Sequence, residues 1–323
     1  MSIDKNRRRL LTQISLASAA FSVAPTGIFN TAQARSKNIS KPNIIFILAD
    51  DMGYADLGVY GQRHFKTPHL DKLAFFLSLH FTAPHWPWEG PHDVEVAKQI
   101  KTLFHYDGGS LETYGKMMEA LDSAVGRVLQ KLHKHGLVDN TLVIFSSDNG
   151  GERFSDTWPF TGQKTELLEG GIRVPTIARW PRAIKAGQVS SQVAVSMDWL
   201  PTLVAAAGAQ PDIHYPSDGE NLLPVLFNEQ KTIPRTLFWR YKSHGQRAVR
   251  SGNWKYLKIA DNEFLFNLAK DPRERADLKE KEPQIFAQLK SQWEEWNATM
   301  LPITEDVRSH SVDGKVQADR YGV

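Results

Sequence analysis

Two short runs of the chain are almost entirely apolar. Asn43-Ile44-Ile45-Phe46-Ile47-Leu48 and Thr141-Leu142-Val143-Ile144-Phe145 are rich in β-branched residues and lack the alternation of a half-exposed strand. That pattern predicts strands buried on both faces of a parallel sheet. Between them Met118, Leu121, Val125, Val128 and Leu132 recur at helical spacing, with Gly136 where such a helix would stop. Further short strands are predicted at Pro175 to Trp180 and Val193 to Val195, and Asp198 is placed to cap a helix opening at Trp199. From about Thr232 the texture changes to short segments separated by turn residues: Leu237 to Tyr241, Gln246 to Arg250, Trp254 to Ile259 and Glu263 to Asn267. This predicts an antiparallel meander. A closing helix from Pro283 to Asn297 follows, with Ile285, Leu289 and Trp293 on one face. Strand, helix and strand in this order predict an α/β protein.

The chain has 323 residues, 41% hydrophobic and 23% charged, enough to fold around a substantial core. It has no cysteine, which excludes disulfides, zinc-thiolate sites, iron-sulfur clusters and thiol nucleophiles. The formal charge of +3 resides in the first 34 residues; the remainder holds 35 basic and 35 acidic residues. No nucleic-acid footprint is left. Those first residues read as an export signal: Arg7-Arg8-Arg9, a weakly apolar stretch from Leu10 to about Phe29, and Ala32-Gln33-Ala34 as a cleavage pattern. Arg7-Arg8-Arg9-Leu10-Leu11 also fits a twin-arginine signal over residues 1–34. The polar residues, Pro25 and Gly27 disfavour an uncleaved membrane span. The expectation is a periplasmic or secreted protein with no membrane span in its mature chain.

Both buried runs end in acids. The first leads into Asp50-Asp51, the second into Ser147-Asp148-Asn149-Gly150-Gly151. In open α/β sheets ligands sit beyond the carboxyl ends of the strands, so the two clusters would share one crevice if their strands are neighbours. Converging carboxylates repel unless a cation lies among them, and an all-oxygen donor set selects Ca²⁺, or alternatively Mg²⁺, over zinc. Each acid taken alone fits a helix cap or a turn equally well. The histidines His80, His85, His92 and His105 lack the spacing of a zinc site. Trp86 and Trp88, set among prolines, suit packing between loops better than a sugar platform.

Taken together, these motifs resemble the sulfatase family of the alkaline-phosphatase-like superfamily. The resemblance is carried by Lys41 through Gly61 with its Asp50-Asp51 pair, by Thr67-Pro68-His69-Leu70-Asp71, by Ala83-Pro84-His85-Trp86-Pro87, by Ser147 through Gly151, by Gly162-Gln163-Lys164, and by Glu169-Gly170-Gly171-Ile172-Arg173-Val174-Pro175. They occur in the family's order. The resemblance implies a mixed, mostly parallel sheet flanked by helices over residues 41–230, with a small C-terminal antiparallel sheet and helix over 231–323. It also implies a sulfuric ester hydrolase acting on aryl or carbohydrate sulfates, a Ca²⁺ held by Asp50, Asp51, Asp148 and Asn149, and sulfate contacts from His85 and Lys164. A phosphatase or phosphodiesterase of the same superfamily is the weaker alternative.

One element of the family pattern is missing. The family's nucleophile is a formylglycine made from Cys or Ser in a Cys/Ser-x-Pro-x-Arg motif, and this sequence contains no such motif. Instead Leu73-Ala74 runs directly into Phe75-Phe76-Leu77-Ser78-Leu79-His80, which resembles a strand the family reaches only after a long intervening region. Impaired activity is expected, since groups that act as a unit lose most of their effect when one goes. The alternative from another class is a non-catalytic protein that binds a metal and a sulfated ligand, whether small molecule or glycan.

Overall fold

The computed structural model describes residues 42–57, 78–99 and 109–304. Its first sheet has the order β2-β1-β3-β4, where β1 is Asn43–Ala49, β2 Ser78–His80, β3 Thr141–Ser147 and β4 Thr176–Arg179. β1 pairs in parallel with β2 and β3, and β4 closes the row antiparallel to β3. The two apolar runs are therefore adjacent strands, in register from Asn43 opposite Thr141 to Ala49 opposite Ser147. Every residue of β3 is buried, as its uninterrupted apolar pattern requires.

Helix α1, Leu111–Lys134, covers one face of this sheet. Its side chains Tyr114, Met117, Met118, Leu121, Val125 and Leu132 pack with Ile45, Ile47, Ala49, Val143 and Phe145. Ser110 caps it by accepting the Thr113 N–H at 3.1 Å, and Gly136 follows the last turn at φ +65°, a backbone conformation that glycine adopts without steric cost. On the opposite face the ring of Phe46 lies 6.5 Å from Trp199, which opens the helix Trp199–Ala206.

Two sequence expectations change here. Val193 to Val195 forms no strand. Asp198 stands at the start of the helix, but its side chain does not cap it. The carboxylate instead accepts the Val195 and Glu220 N–H groups at 2.7 and 2.8 Å and pairs with Arg235 at 2.5 Å. A buried charge is served better by a guanidinium and two amides than by one helix turn.

The second sheet is the antiparallel meander β5 (Thr236–Tyr241), β6 (Gln246–Ser251), β7 (Trp254–Ile259) and β8 (Asn262–Asn267), in that order. The alternation of its strands gives it two apolar faces. Val249, Tyr256 and Leu265 pack against Leu289 and Trp293 of the closing helix Pro283–Ala298. Ala248, Leu257 and Phe266 pack against Leu167, Leu168 and Ile172. The second sheet is thus sandwiched between its own helix and the segment just after Lys164. No helix among the described residues is long and apolar enough to cross a membrane.

Candidate functional site

The parallel pairing of β1 and β3 sends both chain segments out at the same end, so Asp50-Asp51 and Asp148-Asn149 emerge side by side. Ser147 stitches the two exits together: its hydroxyl oxygen accepts the Met52 N–H at 3.1 Å, and its O–H faces the carbonyl of Asn149 at 3.0 Å. Asp148 Oδ1 accepts the Asp51 N–H at 3.1 Å. Asp51 itself sits at φ +63°, in the left-handed region, which Asp and Asn enter more readily than other L residues.

Asp51 is the centre of the cluster. It is 2% exposed, and its Oδ2 faces two nitrogens, Lys164 Nζ at 2.5 Å and His85 Nε2 at 3.3 Å. Its Oδ1 accepts Asn149 Nδ2 at 2.8 Å. His85 is presented by a loop fastened to the end of β1, with Phe81 N–H donating to Leu48 O and Asp50 N–H to Ala83 O. The Nδ1 of His85 donates to the Trp86 carbonyl at 2.5 Å, which turns Nε2 toward the carboxylates. Among the described residues, Asp50, Asp51 and His85 bring ligand-capable atoms within 4.8 Å of one another. Trp88 is buried and packs edge-on against Phe154, 5.1 Å between centroids, so it serves loop packing.

Lys164 reaches the cluster because glycines let two loops meet. A Cβ on Gly150 would lie 1.9 Å from the Gly170 carbonyl oxygen, and one on Gly170 would lie 2.1 Å from that of Gly162. The backbones approach closely enough for Gly150 N–H to donate to Gly171 O and Lys164 N–H to Gly151 O, each at 2.9 Å. Gly150, Gly170 and Gly171 are close-approach positions.

The electrostatics bear on whether a cation fits. Asp50's carboxyl is pushed up to about 6, first by burial and then by the neighbouring charges of Asp148 and Asp51. Glu152, which the sequence reading passed over, is 8% exposed, and its carboxyl is pushed up to about 7 by burial and by Asp51. Its Oε2 has no hydrogen-bond partner and lies 3.8 Å from Lys164 Nζ. Four carboxylates around one lysine and one histidine form an oxygen-rich, under-neutralised site whose donor chemistry suits a hard divalent ion. Asn149 presents its amide nitrogen to Asp51; a half-turn of the amide would present oxygen instead.

Sequence reading also gave no role to the buried ions behind the lysine loop. Glu169 Oε1 and Glu274 Oε1 flank Lys255 Nζ at 3.0 and 2.8 Å, and Arg250 reaches Glu169 Oε2 at 3.2 Å. Lys255 and Glu169 are 0% and 1% exposed. A lysine on the strand face it shares with Leu257 and Ile259 was the signal available for this cluster. The junction at Leu73-Ala74-Phe75 and the Thr67 segment lie outside the described residues, as does His105.

The mixed, mostly parallel sheet with acids beyond the carboxyl ends of its parallel strands is an α/β fold, and comparisons with known proteins place it beside sulfatases. The chain is similar over 80% of its length to the crystal structure of Ps i-CgsB, with TM-score 0.70, 21% identity and 93% of that chain covered. The Sulfatase family model matches residues 74–209, and that of the N-sulphoglucosamine sulphohydrolase C-terminal region matches residues 162–299. Among curated relatives, N-acetylgalactosamine-6-sulfatase of Rattus norvegicus is 35% identical over 197 residues, covering 59% of this chain and 35% of that protein. Steryl-sulfatase of Rattus norvegicus is 29% identical over 269 residues, covering 69% of this chain and 43% of that protein. In sequence the chain is similar to sulfatases over these stretches. It spans less than half the length of these two relatives.

Proposed function

We propose that the cluster around Asp51 is the cation- and anion-binding part of a sulfuric ester hydrolase site, taking aryl or carbohydrate sulfates. The single observation that carries the reading is the meeting of Lys164 and His85 at one oxygen of Asp51, at 2.5 and 3.3 Å, between the ends of two buried parallel strands. In this reading Asp50, Asp51, Asp148 and Asn149 hold Ca²⁺, with Mg²⁺ as the alternative ion. The bound ion supplies positive charge that stabilises the sulfate oxygens. Lys164 adds a second positive charge beside the anion, and His85 offers Nε2 for proton transfer to the leaving oxygen. The names of the relatives, a carbohydrate sulfatase and a steryl-sulfatase, support the sulfate-ester class. Residues 41–230 and 231–323 are assigned as its two domains, and residues 1–34 as a twin-arginine export signal directing the chain to the periplasm or outside.

A second reading is favoured by one specific observation. The chain holds no cysteine and no Ser-x-Pro-x-Arg, so no formylglycine can form in the family's motif, and covalent catalysis by that route is closed. The chain would then bind a metal and a sulfated ligand without turnover. Hydrolysis of a chromogenic aryl sulfate by the purified chain, with and without Ca²⁺ and beside Asp148→Ala, separates the two. Turnover that needs both Ca²⁺ and Asp148 supports the hydrolase; Ca²⁺-dependent stabilisation without turnover supports the binding protein. If Ca²⁺ neither stabilises the chain nor supports turnover, both are wrong.

A further inference from the structure

Lys164 stands in a loop whose backbone needs outside support. Thr165, immediately after it, has φ +73°, a conformation that β-branched residues avoid. On one side the loop is pinned by the first sheet's exit, through the bond from Lys164 N–H to Gly151 O. On the other side it meets Gln246, the first residue of β6, which is 2% exposed. Gln246 Oε1 accepts the Leu167 N–H at 2.9 Å, and its Nε2 donates to the Thr165 carbonyl at 2.8 Å. One amide thus bridges Glu166, using both of its functions on backbone groups two residues apart, immediately after the strained φ of Thr165. The same Nε2 also faces Ser243 O at 3.3 Å.

We propose that Gln246 is a positioning residue, which fixes the course of residues 164–167 and through it the direction in which Lys164 extends its ammonium group. This rests on the reading of Lys164 as an anion-binding group. The amide carries an acceptor and a donor on one planar group: ionised Glu keeps the acceptor and turns an oxygen on the Thr165 carbonyl, and Met keeps the shape with neither function. The second sheet therefore does more than shelter the loop. It supplies the clamp that aims the cation of the first.

The test uses the full chain loaded with Ca²⁺ and two measurements. Inorganic sulfate is titrated calorimetrically into the wild type, Lys164→Ala, Gln246→Met and the double variant. Separately, lysines are reductively methylated with ¹³C and the Lys164 signal, identified by its loss in Lys164→Arg, is followed by NMR without sulfate. Gln246→Met is expected to weaken sulfate binding about tenfold, and the double variant to bind no worse than Lys164→Ala alone, because a clamp has nothing to aim once the lysine is gone. The Lys164 signal should move in Gln246→Met. Additive losses in the double variant, or an unmoved Lys164 signal, overturn the proposal. Failure of the wild type to bind sulfate overturns the anion-binding reading of Lys164, and the NMR signal alone then decides on the clamp. Gln246→Glu, which keeps the Leu167 bond, stands in for Gln246→Met in both measurements should the methionine variant not fold.

Discussion

Asp51 Oδ2 lies 2.5 Å from Lys164 Nζ, joining residues 113 positions apart in the chain. The Asp51 side chain is almost fully buried while that of Lys164 is 22% exposed, so the pair lies between the interior and solvent. Such a pair is costly to break from one side, because the survivor keeps its desolvation cost.

The first prediction concerns the cation. Saturating Ca²⁺ at about a hundred times its Kd would stabilise the fold by about 2.7 kcal/mol, or a melting-temperature rise of about 4 °C for a chain of this size. Asp51→Asn and Asp148→Ala should each lose at least half of that rise. Calorimetric melting of each variant with Ca²⁺ and with chelator measures it, and a full response in Asp148→Ala would remove that residue from the ligand set.

Gly150→Ala tests the meeting of the two loops. Its methyl would fall 1.9 Å from the Gly170 carbonyl oxygen, a backbone atom with little room to retreat. A loss of about 3 kcal/mol is expected, seen as a lower urea midpoint at an unchanged slope. Gly187→Ala is a control for backbone strain without crowding, since no atom lies within 4 Å of its added carbon although its φ is +75°.

Asp56 makes a pH-dependent prediction. Its carboxylate is fully buried; Oδ2 accepts Gly53 N–H and the Tyr114 and Ser155 hydroxyls at 2.7, 2.6 and 2.6 Å, and Oδ1 accepts Asp156 N–H at 3.1 Å. Burial nevertheless pushes the carboxyl up to about 6 from 3.8. With the folded value above the unfolded one, the native state holds the proton more tightly. The stability this contributes is fully present below the unfolded value of 3.8 and is lost as pH rises through about 6. Asp56→Asn cannot titrate, so the stability of wild type relative to the variant should fall by roughly 2.4 kcal/mol from pH 4 to pH 7. Paired urea titrations across that range check the sign; a relative stability that rises with pH contradicts it.

Lys255→Met tests the buried ion cluster. Removing the cation leaves Glu169 and Glu274 facing each other, with the Arg250 contact of Glu169 as the nearest remedy. Loss of about 3–5 kcal/mol is expected. Adding Glu274→Gln to Lys255→Met should restore part of it by removing one of the stranded charges. Equilibrium unfolding of the single and double variants gives the comparison, and a double variant weaker than the single one would show that the repulsion is not what costs stability.

Much of the fold was legible in residue order. Ile44 to Leu48 and Leu142 to Phe145 announce buried strands because continuous β-branched runs suit a sheet covered on both faces. The α1 stripe from Met118 to Leu132 and the turn-punctuated meander were readable for similar local reasons. Asp50, Asp51, Asp148 and Asn149 could be marked as one group because a strand's carboxyl end is a place that periodicity locates. Local pattern misjudged Asp198, since its partners Arg235 and Glu220 are remote in sequence.

What the sequence by itself determined is the set of elements and the chemistry each carries at its ends. Tertiary structure alone decided the rest: that β1 and β3 are neighbours in register, that Lys164 and His85 meet at one oxygen of Asp51, that Glu152 is buried beside them, and that Gln246 and Lys255 reach back to the lysine loop. The physical reason is one of range. Hydrophobic period and turn chemistry act over a few residues and leave a trace in their order. Charge pairing and amide clamping act across distances set by packing, between residues whose separation in the chain carries no trace of it.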